Sequence, residues 1–315
     1  MKKNILGNTG LEVTELCFGT LPMGPLQKNL ELSEGAELIA AALKNGINFI
    51  DTAQFYKTYP YIREAIKISG IRPIIASKST AESYSEMEKA VFESLTALDI
   101  KEIDIFHIHA PRASVEVLEQ RKGAIKCLID LRAKGIIKAV GIATHDVKLA
   151  EIVSELNEID ILFPIYNKNG KGILNGGIES MTSAIKKNFE AGKGVYLMKT
   201  LGGGTMLKQF VENIEFARKN EFHHSIALGM VNINELKFNI DYFNGKINSE
   251  PPSELIVKKE VKVVTQLCKT CEKCVKFCPN SAISILENKA FIDQAKCIAC
   301  GYCTEICPAF AIRVV

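Results

Sequence analysis

The chain has 315 residues, of which 47% are hydrophobic and 24% charged, with a formal net charge of +3 at pH 7. This composition is typical of a globular protein with one large and one small domain, and so small a charge does not indicate nucleic acid or an anionic membrane as a partner. With no apolar stretch of roughly 18 residues and no signal-peptide pattern, we expect a cytoplasmic protein without membrane contact.

From the N-terminus to about residue 240, short β-rich runs alternate with segments of helical period, as in repeated βα units. Eight predicted strands, with helices predicted at 34–44, 85–98 and 117–134 among the segments between them, favour a (β/α)8 TIM barrel. An open doubly wound sheet is the alternative, but no Gly-x-Gly-x-x-Gly run follows a first strand. The predicted strands are Leu16–Gly19, Phe49–Asp51, Ile74–Ser77, Ile103–Ile108, Ala139–Ala143, Ile161–Ile165, Val195–Met198 and Ile226–Leu228.

The composition changes after Tyr242, where a polar segment with Pro251 and Pro252 begins. We therefore predict a barrel domain at 1–242, a linker at 243–260 with little to bury, and a small α+β domain at 261–315. A domain of about 55 residues has a marginal core, so bound metal groups should contribute much of its stability. Its predicted strands are Val261–Thr265, Ile283–Ile285, Ala290–Ile292 and Ile312–Val315.

Eight of the ten cysteines lie between Cys268 and Cys307. Such clustering, without a signal sequence, indicates metal ligands rather than disulfides. The run Cys-x2-Cys-x2-Cys-x3-Cys-Pro occurs twice and matches the bacterial two-cluster ferredoxin spacing, in which the fourth Cys of each run ligates the other cluster. Two zinc sites are the alternative, although zinc does not require the Cys-Pro extension. We predict one [4Fe-4S] cluster on Cys268, Cys271, Cys274 and Cys307 and a second on Cys297, Cys300, Cys303 and Cys278.

The remaining cysteines and most histidines carry no comparable pattern. Cys17 and Cys127 lie in apolar surroundings and are predicted to be buried packing residues. His145, His223 and His224 are predicted to be surface or core residues rather than ligands.

Residues 3–240 resemble the aldo-keto reductase family through several motifs in the family's order. Asp51-Thr-Ala-x2-Tyr56, after the second predicted strand, is similar to the most specific of these motifs. The other segments that carry the resemblance are Gly10–Thr20 with Met23-Gly24, Ile75–Lys78, Asp104–Pro111 and Lys134–Ile142.

The resemblance implies a catalytic tetrad of Asp51, Tyr56, Lys78 and His109 at the C-terminal mouth of the barrel, where such barrels keep their chemistry. Reduction of a carbonyl requires a proton at its oxygen, which a phenol with a pKa near 10 releases reluctantly. Lys78 would lower the pKa of Tyr56, Asp51 would keep Lys78 charged, and His109 would polarise the carbonyl. His107 shares the strand face of His109, so the choice of His109 follows from the resemblance and from its position at the strand end.

The resemblance also implies NADP(H) or NAD(H) as a cofactor, but the chain departs from the family where that cofactor binds. Phe163 and Met198 stand where the family has a Gln and a stacking Tyr, and residues 229–235 contain no basic residue to grip a 2′-phosphate. NADPH binding should therefore be weak. The glycine run could bind a phosphate through its N–H groups or form a bare turn. The candidate cofactor contacts are Gly19, Thr20, Thr144, Gly202, Gly203 and Gly204.

Together these features predict an iron–sulfur oxidoreductase that reduces a carbonyl or related small organic substrate. Its electrons would come from the 4Fe-4S clusters or from a nicotinamide, and an external electron carrier would be a further partner. The alternative is an electron-transfer protein whose barrel is a non-catalytic scaffold, but a scaffold would have no reason to retain all four tetrad residues.

Overall fold

The computed structural model describes residues 1–256, 260–309 and 311–314. Eight parallel strands close into a barrel, which confirms the (β/α)8 prediction and excludes the open sheet. Val315, predicted to end the last strand, and residues 257–259 of the predicted linker lie outside the described residues. Within the described part, no helix is both long and apolar enough to cross a membrane.

A short hairpin of β1 and β2 precedes the barrel strands, and every predicted barrel strand is present. The barrel order is β10-β3-β4-β5-β6-β7-β8-β9, so the first and last strands pair directly. The strands are β1 (Lys3–Ile5), β2 (Glu12–Thr14), β3 (Leu16–Gly19), β4 (Phe49–Asp51), β5 (Ile74–Ser79), β6 (Ile103–Ala110), β7 (Ile137–Thr144), β8 (Ile161–Pro164), β9 (Gly194–Leu197) and β10 (Ser225–Gly229).

Helices cover the outside of the barrel. One begins with a capping box in which Ser83 and Glu86 satisfy each other's backbone N–H groups. The single helix predicted over 117–134 is two helices, because the backbone leaves helical geometry at Arg121. The helices are α1 (Leu32–Lys44), α2 (Tyr59–Ser69), α3 (Tyr84–Leu98), α4 (Val117–Gln120), α5 (Lys122–Ala133), α6 (Val147–Val153), α7 (Ile178–Glu190), α8 (Phe210–Lys219) and α9 (Ile233–Phe243).

The small domain contains two antiparallel strand pairs and two short helices. Val261 to Val263 pairs with Val314 to Ile312, and the predicted hairpin forms around Glu287 and Asn288. Its core mixes cysteines with small and branched apolar side chains. The elements are β11 (Val261–Val263), α10 (Lys273–Phe277), β12 (Ile283–Leu286), β13 (Lys289–Ile292), α11 (Tyr302–Ile306) and β14 (Ile312–Val314).

The small domain is docked on the C-terminal mouth of the barrel. The Arg112 guanidinium, just after β6, donates to the backbone carbonyls of Lys276 and Cys278 at 2.8 and 2.9 Å. Gln27 donates to the carbonyls of Ala299 and Cys300 at 3.3 and 3.4 Å. Since these contacts come from opposite sides of the mouth, the small domain covers the edge of the barrel at which the predicted catalytic residues lie.

Two glycines allow this close approach. A Cβ on Gly203 would lie 1.9 Å from the Ile298 carbonyl oxygen, and a Cβ on Gly301 would lie 2.3 Å from that of Leu26. Both glycines also have positive φ, at 72° and 79°. Backbone meets backbone at these two points, so any side chain there would push the domains apart.

Candidate active site

Asp51 and Lys78 form a buried ion pair at the ends of β4 and β5. The Lys78 ammonium donates to both Asp51 carboxylate oxygens, at 2.7 and 2.9 Å, and to the Thr52 carbonyl oxygen at 2.6 Å. Burial raises the pKa of the Asp51 carboxyl, and the Lys78 charge opposes that rise. Neighbouring parallel strands bring the two groups together, because their carboxyl ends meet at one edge of the sheet.

Tyr56 ends a 3-10 turn, Gln54–Tyr56, directly above this pair. The Lys78 ammonium lies 4.8 Å from the centre of the Tyr56 ring. Burial raises the pKa of Tyr56 well above its ordinary value, and the neighbouring Tyr302 and Asp51 raise it further. Burial thus outweighs any lowering of this pKa by Lys78, whose ammonium faces the ring and is engaged by Asp51 and Thr52. Tyr56 is a protonated phenol at physiological pH.

His109 lies in β6 with its Nε2 3.2 Å from the hydroxyl of Tyr302, a residue of the small domain. Its Nδ1 is buried without a hydrogen-bond partner among the described residues. Burial, with a further contribution from Lys78, lowers its pKa well below the ordinary value, so the imidazole is neutral. A neutral imidazole polarises a carbonyl but supplies no charge.

His107, on the same strand face, serves a different purpose deeper in the barrel. Its Nε2 lies 2.7 Å from the Tyr196 hydroxyl, which also donates to Asp51 at 3.1 Å. Tyr196 is fully buried and stacks on Phe163 with 3.8 Å between ring centres. Tyr196 was not identified from the sequence, although its place on β9, two residues before Met198, puts it on the inward face.

Tyr302 was also missed, and it reaches the centre of the site. Its hydroxyl lies 3.3 Å from the Tyr56 hydroxyl, in addition to its contact with His109. The Tyr302 ring makes an edge contact with Phe55 at 5.2 Å. Tyr302 stands between the predicted cluster ligands Cys300 and Cys303, so the tetrad touches the loop that would hold the second cluster.

Lys199 is a third residue that sequence reasoning missed. It follows β9 with left-handed backbone geometry, φ 61°, which is uncommon for a lysine. Its ammonium is close enough to interact electrostatically with Cys300 and Cys297 on one side and with Lys78 and Asp51 on the other. Burial lowers the pKa of Lys199, and the negative charges of Cys300, Asp51 and Cys297 oppose that fall. Lys199 therefore lies within electrostatic reach of both the tetrad and the second cysteine run.

A groove of about 650 Å³ leads outward from the tetrad along the ends of β9 and β10. Asp51 and Tyr56 form its inner end, and Pro251 and Leu255 of the predicted linker line it further out. Pro251 is buried, whereas residues 244–246, 248–250 and 252–254 are exposed, so the segment buries little beyond its contact with the groove. Apolar side chains such as Leu207 dominate the wall.

The predicted cofactor contacts differ in their access to this groove. Gly19 lines it, whereas Thr20 and Thr144 are fully buried. The Thr20 hydroxyl lies 3.2 Å from the Asp51 carbonyl oxygen, and the Thr144 hydroxyl accepts from the Asp146 N–H at 3.0 Å. These two threonines therefore support neighbouring backbone.

The glycine run after β9 forms a tight turn beside the groove. The Gly202 N–H donates to the Lys199 carbonyl at 2.8 Å, and the Gly204 N–H donates to the Leu201 carbonyl at 2.9 Å. Gly203 meets the small domain, as described above. Two of the three N–H groups are therefore already used within the turn.

The N-terminus of α9, at the far side of the groove, is also internally satisfied. The Asn232 side chain accepts from the N–H groups of Asn234 and Glu235 at 3.0 and 2.9 Å. The Glu235 carboxylate accepts from the Val231 N–H at 2.8 Å. A carboxylate at this position repels a phosphate, so these residues do not fit the 2′-phosphate of NADPH.

The two cysteine runs have a repeated geometry suited to iron–sulfur clusters. Thr270 and Ala299, at equivalent positions, both have left-handed φ, 53° and 49°. Ala282 and Ala311 each donate an N–H to the sulfur of the cysteine four residues earlier, at 3.3 Å. Such N–H···S contacts stabilise thiolate ligands and adjust cluster potentials. The donor set therefore fits two cubane clusters.

The spatial arrangement of the sulfurs is consistent with the crossed ligand assignment, which remains a prediction. Cys278, from the first run, interacts electrostatically with Cys297, Cys300 and Cys303 of the second. Cys274 interacts with Cys307 and Cys271. Cys17 and Cys127 are fully buried in the barrel, as predicted.

Comparison with known proteins connects this geometry to a family. The model of the aldo/keto reductase family matches residues 15–274. This chain belongs to the aldo/keto reductase family. A second model, of a 4Fe-4S dicluster domain, matches residues 260–308. The predicted fusion of an aldo/keto reductase barrel with a ferredoxin-type domain is therefore confirmed.

Curated relatives within the family are distant. The methylglyoxal reductase DkgA of Escherichia coli K12 is 25% identical over 173 residues, covering 52% of this chain and 62% of the relative. The glyoxal reductase of Bacillus subtilis 168 is 32% identical over 140 residues, covering 41% and 49%. The chain thus spans about half to three fifths of the length of these relatives.

Solved aldo-keto reductases share the barrel fold. One from Pseudomonas aeruginosa superposes with a TM-score of 0.66 at 23% identity, covering 77% of this chain and 94% of its own. The holo form of one from Bacillus halodurans gives a TM-score of 0.62 at 19% identity, covering 81% and 94%. These matches support the fold alone.

Proposed function

We propose that this protein is an iron–sulfur oxidoreductase that reduces a small carbonyl compound with electrons from its own ferredoxin-type domain. One observation carries the proposal: the loop around Cys300 lies on the barrel mouth, and its Tyr302 hydroxyl is within hydrogen-bond distance of both Tyr56 and His109. A ferredoxin domain that served only as an external docking module would have no need to contact the proton donor.

The residues divide the reduction between them. Converting a carbonyl to an alcohol takes two electrons and two protons. When bound, the two clusters supply one electron each. Tyr56 gives the proton to the oxygen, and His109 hydrogen-bonds that oxygen through its neutral imidazole. The second proton, which goes to carbon, comes from water through the groove. The Lys78 ammonium, held by Asp51, would stabilise the Tyr56 anion that forms.

The order of the clusters follows from exposure. Cys271, in the first run, is exposed, whereas Cys300, at the equivalent position of the second run, is buried in a cluster with Ala53 and Tyr56 of the barrel. The first run would therefore hold the cluster that an external electron carrier could reach, and the second run would hold the cluster beside the site. The Lys199 ammonium interacts with both Cys300 and Asp51. It would therefore stabilise negative charge that arrives at the second cluster or at the tetrad.

A nicotinamide-driven hydride transfer is the second candidate, because the 650 Å³ groove opens beside Tyr56. Two features oppose tight NADPH binding. The Glu235 carboxylate lies at the N-terminus of α9, and the N–H groups of Gly202 and Gly204 are already used within their turn. We expect NADPH to bind at least tenfold more weakly than to a site with one phosphate-gripping cation, since a charged hydrogen bond contributes about 1.5 to 3 kcal/mol.

The test follows cluster absorbance under anaerobic conditions without nicotinamide. The clusters are reduced with a low-potential donor, excess donor is removed, and methylglyoxal or glyoxal is added. We expect the clusters to reoxidise as alcohol forms in a ratio of one alcohol per two electrons. Tyr56→Phe should stop both processes and leave the iron content unchanged.

The matched control is Tyr61→Phe, which removes another buried phenol, one that donates to the Leu30 carbonyl at 2.7 Å on the outer side of the barrel. This variant should retain full reoxidation. If the clusters stayed reduced in the presence of carbonyl substrate until NADPH or NADH was added, the proposal would be contradicted. The result would indicate hydride transfer from the nicotinamide.

A further inference from the structure

The Tyr302 hydroxyl lies at the position where the tetrad would bind a substrate oxygen. A carbonyl oxygen that takes a proton from Tyr56 while it is polarised by His109 must lie within hydrogen-bond distance of both groups. The Tyr302 hydroxyl lies at that point, 3.3 Å from the Tyr56 hydroxyl and 3.2 Å from the His109 Nε2. A second oxygen there would overlap with it, so the two cannot coexist.

The phenol is held in this position by the rest of its loop. Tyr302 is 7% exposed, and its ring packs against Phe55. Gly301 seats the loop against the Leu26 carbonyl, and Gly203 does the same for the Ile298 carbonyl. Backbone contacts on both sides therefore fix the position of the Tyr302 backbone. Docking of the small domain thus places the Tyr302 hydroxyl at the tetrad.

We propose that Tyr302 is a specificity-determining residue: an internal competitor that a carbonyl compound must displace from Tyr56 and His109. The inference rests on the proposed function, because it concerns the substrate of the same site. Carbonyl compounds enter from the groove that Tyr56 lines, which stays open with the small domain docked. Only compounds that gain contacts along its apolar wall bind well, since a carbonyl group alone merely exchanges one set of hydrogen bonds for another.

The experiment measures binding without turnover. The intact, anaerobically purified and oxidised protein is titrated with 4-fluorobenzaldehyde, and the dissociation constant is read by ¹⁹F NMR. Tyr302→Phe keeps the ring against Phe55 but leaves the Tyr56 and His109 groups without this partner. We expect the variant to bind the aldehyde about tenfold more tightly, the factor that corresponds to one neutral hydrogen bond.

Three variants make the result specific. Tyr61→Phe, which removes a buried phenol elsewhere, should bind as the parent protein does. The double variant Tyr302→Phe with Tyr56→Phe should lose the gain, because the aldehyde oxygen loses its donor. Gly203→Ala, which pushes the loop away and leaves Tyr302 unchanged, should also bind more tightly; it decides the question if Tyr302→Phe loses iron.

Each outcome bears on the proposal. Affinity that is equal or weaker in Tyr302→Phe, including no detectable binding to either protein, overturns it, as does a gain that survives removal of the Tyr56 hydroxyl. Unchanged affinity with lost cluster reoxidation would make Tyr302 a proton donor instead and also overturns it. Failure of the proposed function would leave this binding result unaffected, because no electron is involved.

Discussion

The two cysteine runs share one spacing and one backbone geometry, yet they face different surroundings. In the first run, the residues between the cysteines include the exposed Lys269 and Lys273; in the second, the equivalent residues are the buried Ile298 and Tyr302. Both runs use left-handed residues after the first two cysteines. The cysteines and these turns are suited to a cluster, whereas the residues between them decide whether that cluster faces solvent or the barrel.

The two cysteine runs are therefore suited to different roles. A charged, exposed run suits a site where a carrier in solution approaches, and an apolar run with a Gly-Tyr pair suits permanent contact with a catalytic surface. Four experiments would break or sharpen this comparison.

The largest effect should come from the fourth cysteine of each run. Under the crossed assignment, Cys278→Ser damages the cluster that contacts the barrel, and Cys307→Ser damages the cluster that faces solvent. Both variants should lose about half of the iron. Cys278→Ser should abolish reoxidation by methylglyoxal, because it damages the cluster whose loop carries Tyr302 to Tyr56.

The control is Cys127→Ser, a buried cysteine in α5 with no part in either run. Its iron content should equal that of the parent protein. The measurement is iron per chain together with the EPR spectrum of the reduced protein. If Cys278→Ser and Cys307→Ser lost the same cluster, the crossed assignment would be wrong.

A smaller effect is expected from Gly203→Ala, which tests the contact of the second run. Its Cβ would lie 1.9 Å from the Ile298 carbonyl oxygen, so the small domain must shift. Gly245→Ala is the matched control, with nearly the same φ, 71° against 72°, and no atom near its Cβ. Both variants carry the left-handed backbone cost of about 1 to 2 kcal/mol.

Hydrogen exchange of residues 298–302 distinguishes the two glycine variants. We expect faster exchange in Gly203→Ala only, with the first run unaffected. Equal exchange in both variants would mean that the docking seen between Gly203 and Ile298 does not hold the second run on the barrel.

Much of the fold could be predicted from the sequence, because strand periodicity and cysteine spacing are local signals. The eight barrel strands were all identified, and the tetrad candidates converge because the ends of adjacent parallel strands meet. The helix predicted over 117–134 was wrong at Arg121, where the sequence has no Pro and where Gly123, two residues later, was the available signal. Chain-local patterns therefore sufficed for the architecture.

The site residues that were not identified from the sequence make contacts with residues far away in the chain. Tyr302 meets Tyr56 over a separation of 246 residues, a contact that no local pattern reports. One signal was available: Ile298 and Tyr302 stand where the first run has lysines, which indicated a covered surface. Lys199 gave no such signal, since a lysine at a strand end is ordinarily solvated. The raised pKa of Tyr56 likewise depends on burial beneath the docked domain.

A third prediction concerns the charge between the two sites. Removing the Lys199 ammonium, which interacts with Cys300 and Cys297, should make reduction of the second cluster less favourable. Lys199→Met should lower its potential by about 40 mV, which for one electron corresponds to about 1 kcal/mol. Lys273→Met, in the exposed run, should shift the first cluster much less because water screens it. The measurement is an EPR-monitored redox titration; equal shifts of both clusters would contradict the comparison.

The smallest effect should come from the titration of His145, which is buried and interacts with the Asn280 side chain of the small domain. Burial lowers its pKa from an ordinary 6.5 to about 3. The docked protein therefore resists a proton that the undocked protein accepts, so docking is strongest above pH 6.5 and weakens as the pH falls towards 3. Between pH 7.5 and pH 6 the loss should be less than about 1 kcal/mol.

His145→Gln removes this titration and should flatten the pH dependence of hydrogen exchange in residues 298–302. His223→Gln is the matched control: burial also lowers the pKa of His223, to about 4, but its ring contacts the Asn220 carbonyl in the barrel, at 2.6 Å. Its loss should change the acid sensitivity of the barrel and leave that of the interface intact. An interface whose exchange depends on pH equally in both variants would assign the effect to another group. A response confined to His145→Gln would assign the pH dependence of docking to the contact between His145 and Asn280, which directly follows Cys278-Pro279 of the first run.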